Sequence, residues 1–268
     1  MKPAISQVSS LLAPFESDLE EYAAGDCRVI DVWLTKLEDC LQRRSPSEIR
    51  ELAEQHRVEL AVASYQGGIL ASQGEARRAA WELFERRLRL CRDLGIATLV
   101  VACDVGAPLT PLDLDRVQLS LREAGRLADT HGVRLALEFQ ASSAIGNNLQ
   151  SAVAMVEEAA SPALGICLDA FHFHVGPSKT EDLGCLTAEN LFHVQVCDLA
   201  GVPREFAADA DRVLPGDGDI PLEPLVRRLR EIDYQGCIAV ELLNPQIWQI
   251  PPRQFCPAAL AALNRILA

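Results

Sequence analysis

The chain is expected to fold as an α/β protein of the (β/α)8 barrel type, on three observations. A short apolar run, a polar or Gly/Pro break and a longer amphipathic stretch recur along 268 residues. Eight such units come to about 33 residues each, the length of one βα unit. The runs are nearly unbroken in apolar residues, as in Thr98-Leu-Val-Val-Ala and Cys237-Ile-Ala-Val, which suits parallel strands covered on both faces. No linker, low-complexity segment or shift of composition divides the chain, so residues 1–268 read as one domain. An open doubly wound sheet would also alternate strand and helix, but no Gly-x-Gly-x-x-Gly follows the first strand.

In order, the first four units pair strands at 4–8, 28–34, 58–63 and 97–103 with helices at 14–24, 46–55, 74–94 and 111–130. The last four pair strands at 133–139, 164–169, 192–197 and 237–242 with helices at 149–159, 180–188, 221–232 and 257–267. Ser45 with Glu48 three residues on predicts a capping box, and Pro46, Pro111 and Pro221 suit first-turn positions. Gly95, Gly132 and Gly236 fall at or just past last turns.

Charge and cysteine usage narrow the function. With 25 Lys+Arg against 38 Asp+Glu the formal charge is −13, and no basic run compensates, so nucleic acid and anionic membrane are excluded as expected partners. No apolar stretch approaches the roughly 18 residues of a membrane span, and no secretory leader is visible at the start. Nine cysteines without a Cys-x-x-Cys pair suit reduced, mostly buried thiols. A soluble cytoplasmic protein is expected.

Four successive strands close on a polar residue after apolar ones: Glu138, Asp169, Gln195 and Glu241. The carboxyl ends of barrel strands share one rim, so these four would converge at its mouth if each points inward. Two unit charges 4 Å apart repel by about 4 kcal/mol at an effective dielectric near 20. A shared proton would relieve one contact, whereas one divalent cation such as Mg2+ or Mn2+ would relieve all three and suits carboxylate and amide oxygens. The alternative is solvated strand ends paired with rim cations.

His172, three residues after Asp169, could reach a substrate hydroxyl or a metal-bound water, with His174 the weaker candidate. His193 shares a strand face with Gln195 and reads as a hydrogen-bonded interior histidine; His56 and His131 belong to the opposite rim. In Arg212-Val-Leu-Pro-Gly216-Asp-Gly218 two glycines could bring backbone N–H groups to an anion that Arg212 clamps, although such stretches are often plain turns. Trp33 and Lys36 follow the second strand and could line the pocket, while Ser64, Tyr65 and Gly67-Gly68 after the third could close over a ligand.

A Glu ending strand five, Asp-x-x-His ending strand six, Gln195 with Asp198 three residues on, Arg-x-x-Pro-Gly-x-Gly and a Glu ending strand eight together resemble the xylose isomerase-like TIM barrels. More narrowly the chain looks like the sugar phosphate isomerase/epimerase group, over nearly its whole length. That resemblance implies one divalent ion, Mn2+, Mg2+ or Co2+, on Glu138, Asp169, Gln195 and Glu241. It also implies that His172 and Arg212 hold substrate oxygens. Glu138 and Glu241 would then exchange a proton beside the carbonyl of a small polyhydroxylated substrate, through an enediolate. Gln195 departs from the histidine usual in epimerase members, which makes Zn2+ less favoured and is similar to the dehydroshikimate dehydratase branch. A dehydratase using the same ion is therefore the alternative to an isomerase, and a sugar-binding barrel without turnover the alternative to an enzyme. A homodimer is compatible with the resemblance.

Overall fold

In the computed structural model, which describes residues 1–268, eight parallel strands close on one another. They are β1 (Lys2–Ser6), β2 (Val29–Trp33), β3 (Glu59–Gln66), β4 (Thr98–Cys103), β5 (Arg134–Phe139), β6 (Leu164–Asp169), β7 (Leu191–Val196) and β10 (Cys237–Val240). Around the barrel the order is β1-β10-β7-β6-β5-β4-β3-β2, which is the closed (β/α)8 arrangement and not an open sheet. Two short antiparallel strands that the apolar pattern had not disclosed, β8 (Asp198–Leu199) and β9 (Arg212–Val213), form a separate pair in the chain segment that connects β7 to β10.

Side-chain parity decides what the barrel contains. Ala4, Val62, Val100, Ala136, Cys167 and Ala239 form an inner apolar cluster together with Cys237 and Phe192. Their neighbours Leu99, Val101, Leu135, Leu137, Ile166 and Leu168 belong to the larger core beneath the helices. Because Ala136, Cys167 and Ala239 face inward, Glu138, Asp169 and Glu241, two residues further along the same strand directions, face inward as well. The register sets Glu138 beside Cys167, and Asp169 and Ala239 beside Gln195.

The surrounding helices are α1 (Phe15–Ala24), α3 (Pro46–His56), α4 (Gly74–Leu94), α5 (Pro111–His131), α6 (Leu149–Ala159), α8 (Leu222–Glu231) and α9 (Pro252–Leu267), with short α2 (Leu34–Cys40) and α7 (Ala170–Val175). The Ser45–Glu48 capping box is formed, and Gly95 and Gly132 close α4 and α5 in the left-handed conformation, with φ of +73° and +67°. Elsewhere the sequence misleads. Pro221 is an N-cap, not a first-turn residue, and Asp233, not Gly236, takes the left-handed position after α8. The helix expected at 180–188 is a 3-10 segment, Thr180–Cys185. The last helix begins at Pro252, five residues before Pro257, which rides inside it. Both α2 and α7 are too short to show a period. No helix is long and apolar enough to cross a membrane, and all nine cysteines are free.

Lys36 corrects an expectation. It lies on α2, buried, with its ammonium turned from the mouth onto Asp18 Oδ2 at 2.6 Å and the carbonyl oxygens of Ser10 and Gln7 at 2.6 and 3.1 Å. Ser10 Oγ and Gln7 Nε2 also donate to Asp18, so the lysine ties α1 and α2 to the end of β1 and leaves no donor directed at a ligand. Burial pushes the Asp18 carboxyl up to about 7 against the pull of Lys36. Removing one member of such a pair leaves the other charge uncompensated. Lys36→Met is expected to lower unfolding free energy by about 3 to 5 kcal/mol in urea denaturation. A loss below about 1 kcal/mol, as for an exposed pair, would contradict this placement.

Candidate active site

The mouth of the barrel holds a cavity of about 220 Å3 lined by Trp33, Tyr65, Glu138, Gln140, Ser142, His172, Asp209, Arg212, Glu241 and Leu243. That volume lies below the range typical of drug-sized ligands and suits one small metabolite. Trp33 and Tyr65 meet with ring centroids 5.6 Å apart and form an apolar wall.

Asp169 shows how the local sequence builds the site. Its Oδ1 accepts the Phe171 backbone N–H at 2.6 Å, capping α7, so Asp-Ala-Phe-His starts a helix and carries His172 to the mouth. Its Oδ2 accepts from Arg212 Nη1 at 2.9 Å, and the same nitrogen donates to Glu241 Oε2 at 3.0 Å. Arg212 Nε and Nη2 hold Asp209 at 3.1 and 2.7 Å, and the guanidinium lies over the Phe171 ring, 4.4 Å from its centroid. Three carboxylates therefore engage four of the five guanidinium N–H groups, leaving one for a ligand. Expected as a substrate clamp, Arg212 is first a counter-ion.

The glycine loop also differs from the expected anion cradle. Asp198 accepts from the N–H groups of Leu199, Gly216 and Ile220 at 2.8 to 2.9 Å, so the anion wrapped by this loop is the protein's own. Gly216 has φ +82°, and a side chain at Gly218 would collide with the Leu199 carbonyl. Arg212 itself is set in the β8–β9 pair, opposite Leu199.

Gln195 donates through Nε2 to Glu241 Oε1 at 2.6 Å and to Asp31 Oδ2 at 3.3 Å, while its Oε1 meets Cys167 Sγ at 3.2 Å. Ser64, expected at a closing loop, instead donates to Asp31 Oδ1 at 2.7 Å inside the barrel. His193 is interior as expected, but its Nε2 is 3.5 Å from Asp31 Oδ2, longer than a hydrogen bond, and neither ring nitrogen has a hydrogen-bond partner. His174 lines a separate cavity beside α8. Asp31, Gln140, Tyr65 and Asp209 complete the surroundings. Tyr65 was expected over the ligand; of the others Asp31, a lone acid within the apolar run Val29-Ile-Asp-Val-Trp33, was the legible signal.

The electrostatics are one-sided. Burial, reinforced by Asp169, pushes Glu138 up to about 8, and its carboxylate accepts only from Gln140 Nε2, at 3.2 Å. Burial also raises Glu241 well above the usual carboxylate range despite Arg212. For Asp169 burial is outweighed by Arg212, with His172 and the Phe171 N–H assisting, and the carboxyl is held low. Burial keeps His172 neutral at pH 7 by lowering it, and its Nδ1 is buried without a partner. Ligand atoms of Glu138, Asp169 and His172 lie within 4.8 Å of one another. Undercompensated buried carboxylates, an unpartnered imidazole nitrogen and an amide oxygen are donors that fit a divalent ion.

An eight-stranded barrel with acidic side chains at the carboxyl ends of its strands defines the class. The profile described as "Xylose isomerase-like TIM barrel" matches residues 27–265, and the chain belongs to that family. It is 34% identical over 131 residues to the inosose isomerase of Halalkalibacterium halodurans, 48% of this chain and 46% of that one, so the match spans about half of the relative's length. It is 28% identical over 185 residues to the 3-dehydroshikimate dehydratase of Pseudomonas putida, 67% of this chain and 28% of that one. The fold matches the crystal structure of the IOLI protein with a bound zinc atom at a TM-score of 0.93, with 22% identity over 100% of this chain and 98% of that one.

A carboxyl raised on folding favours the folded state while protonated, and that advantage is lost as pH climbs from the unfolded value through the folded one. The protein is therefore expected to lose thermal stability between about pH 4.5 and pH 8, and Glu138→Gln to lessen the decline. An identical decline in the variant, followed by calorimetry, would contradict the raised Glu138.

Proposed function

We propose that this protein is a divalent-metal-dependent isomerase or epimerase of a small polyhydroxylated ketone, acting by proton transfer through an enediolate. The observation that carries the reading is the undercompensated set of inward carboxylates at one mouth. Glu138, Asp169, Gln195 through Oε1, and Glu241 would hold the ion. When bound, it would polarise the substrate's carbonyl and hydroxyl oxygens and favour loss of the adjacent proton.

The chain's own residues would do the rest. Glu138 and Glu241 stand on strands separated by β6 and β7, so they approach a ligand from two directions, as a base on one side and an acid on the other require. His172, neutral and facing the cavity, is suited to hydrogen-bond a substrate hydroxyl through its ring nitrogens. The Trp33–Tyr65 wall offers an aromatic surface to the C–H face of a polyol and sheds water from the reacting carbon.

Charge favours an uncharged substrate over a phosphate or carboxylate. Glu138, Asp169, Asp209 and Glu241 carry four negative charges when ionised against Arg212, and a divalent ion would still leave one in excess. Arg212 is the one Lys or Arg of the lining, and it is already held by three carboxylates. The relationship to inosose isomerase supports the same choice. One observation favours the second reading, a lyase expelling water from the same enediolate: Gln195 at the strand-seven position, together with the dehydratase relative.

With the substrate in hand, Glu241→Gln is expected to lower kcat by about 10²- to 10⁴-fold without changing the fold. Mass spectrometry separates the readings, an isomer having the substrate's mass and a lyase product lacking one water. Undiminished turnover in the variant would overturn the role of Glu241.

A further inference from the structure

We infer that Asp31 is a positioning residue that sets the amide of Gln195, directing its oxygen to the ion and its nitrogen away. The inference rests on the metal reading above and concerns a residue on the other side of the barrel. Asp31 comes from β2, and β1 and β10 intervene before β7. Its side chain crosses the interior beneath the cavity, with both Asp31 and Gln195 at most 1% exposed.

A glutamine amide has two ends of similar shape and opposite hydrogen-bonding character, and only the oxygen can ligate a cation. Nothing in the backbone of β7 selects between them. Its hydrogen-bond partners do: two carboxylates take the nitrogen, and the Cys167 thiol, 3.2 Å from Oε1, donates to the oxygen. Nε2 donates to Glu241 Oε1 at 2.6 Å and to Asp31 Oδ2 at 3.3 Å, so turning the amide over would set its oxygen against both acids. Glu241 alone is a poor selector, because as a ligand it is expected to give its oxygens to the ion. Asp31 is outside the ligand set and keeps its acceptor whichever state the mouth is in.

Asp31 is itself fixed. Ser64 Oγ, 1% exposed, donates to Oδ1 at 2.7 Å, leaving Oδ2 turned to Gln195 with His193 Nε2 at 3.5 Å. The chain Ser64 to Asp31 to Gln195 thus links β3, β2 and β7 through the barrel. Partners behind a ligand commonly alter metal affinity by about 10- to 100-fold when removed.

The test is Co2+ affinity, by calorimetry and by the visible absorption of the bound ion, in the full-length protein. Asp31→Ala is expected to weaken binding by about 10- to 100-fold, whereas Asp31→Asn, which can still turn its oxygen to Gln195 while Ser64 accepts from its nitrogen, is expected to bind close to wild type. In a Gln195→Glu background, where no N–H needs orienting and Asp31 is a repulsive neighbour, Asp31→Ala is expected to leave binding unchanged or tighter. A merely structural role would weaken both backgrounds alike. Should Asp31→Ala not fold, Ser64→Ala serves, with a smaller loss expected in the wild-type background and none beside Gln195→Glu. Wild-type affinity in the folded Asp31→Ala protein, or equal losses in both backgrounds, overturns the inference. A wild-type protein that binds no Co2+ removes the metal reading and this inference with it.

Discussion

Repulsion between buried carboxylates at the mouth of the barrel is the constraint on which the site depends. Glu138, Asp169 and Glu241 all lie at 6% exposure or less, with Arg212 as the cation shared by the last two. Each unit pair of like charges at contact distance costs about 4 kcal/mol at an effective dielectric near 20, so a fold of ordinary stability must neutralise some of them. The protein's own groups do so in two ways: Glu138 and Glu241 are shifted toward the neutral acid, and Arg212 is drawn into the cluster. A divalent cation would relieve the same repulsion, which is why the proposed reading places one there.

Beneath that concentration of charge the barrel interior combines small apolar side chains, among them Ala4, Val100, Ala136, Cys167 and Ala239, with the buried polar chain Ser64–Asp31–Gln195, and a continuous core of larger side chains lies outside the strands. The segments after the strands then complete the mouth. Asp169 caps α7 and thereby delivers His172. Asp198 gathers the Gly216–Ile220 loop and lies on β8, whose pairing with β9 places Arg212. In both cases a carboxylate at the carboxyl end of a strand organises the segment that supplies the next functional group, which couples the local chain geometry to the chemistry of the pocket.

How much of this was legible follows from what a period can carry. Apolar runs located all eight barrel strands, because a strand buried on both faces advertises itself without reference to partners. The inward acids were legible for the same reason, as lone polar residues ending such runs. What a run does not reveal is which cation a buried acid meets, since Arg212 comes from 43 residues beyond Asp169 and is set by a separate strand pair opposite Leu199. Lys36 illustrates the same limit. Its place after a strand suggested the mouth, while its partner Asp18 lies on a helix 18 residues earlier. The short helices α2 and α7 were hidden because one or two turns have no period, although Asp169 as an N-cap was a readable sign. Asp31 was passed over inside an apolar run, where a single acid is itself the signal.

Crystals grown with Mn2+ and measured for anomalous scattering would test the account at its centre. The expected result is a single strong anomalous peak at the barrel mouth, with oxygen atoms of Glu138, Asp169, Gln195 and Glu241 around it and the Arg212 guanidinium withdrawn from Asp169, from Glu241 or from both. A mouth without an ion at saturating Mn2+, with Arg212 still bridging the two carboxylates, would contradict it.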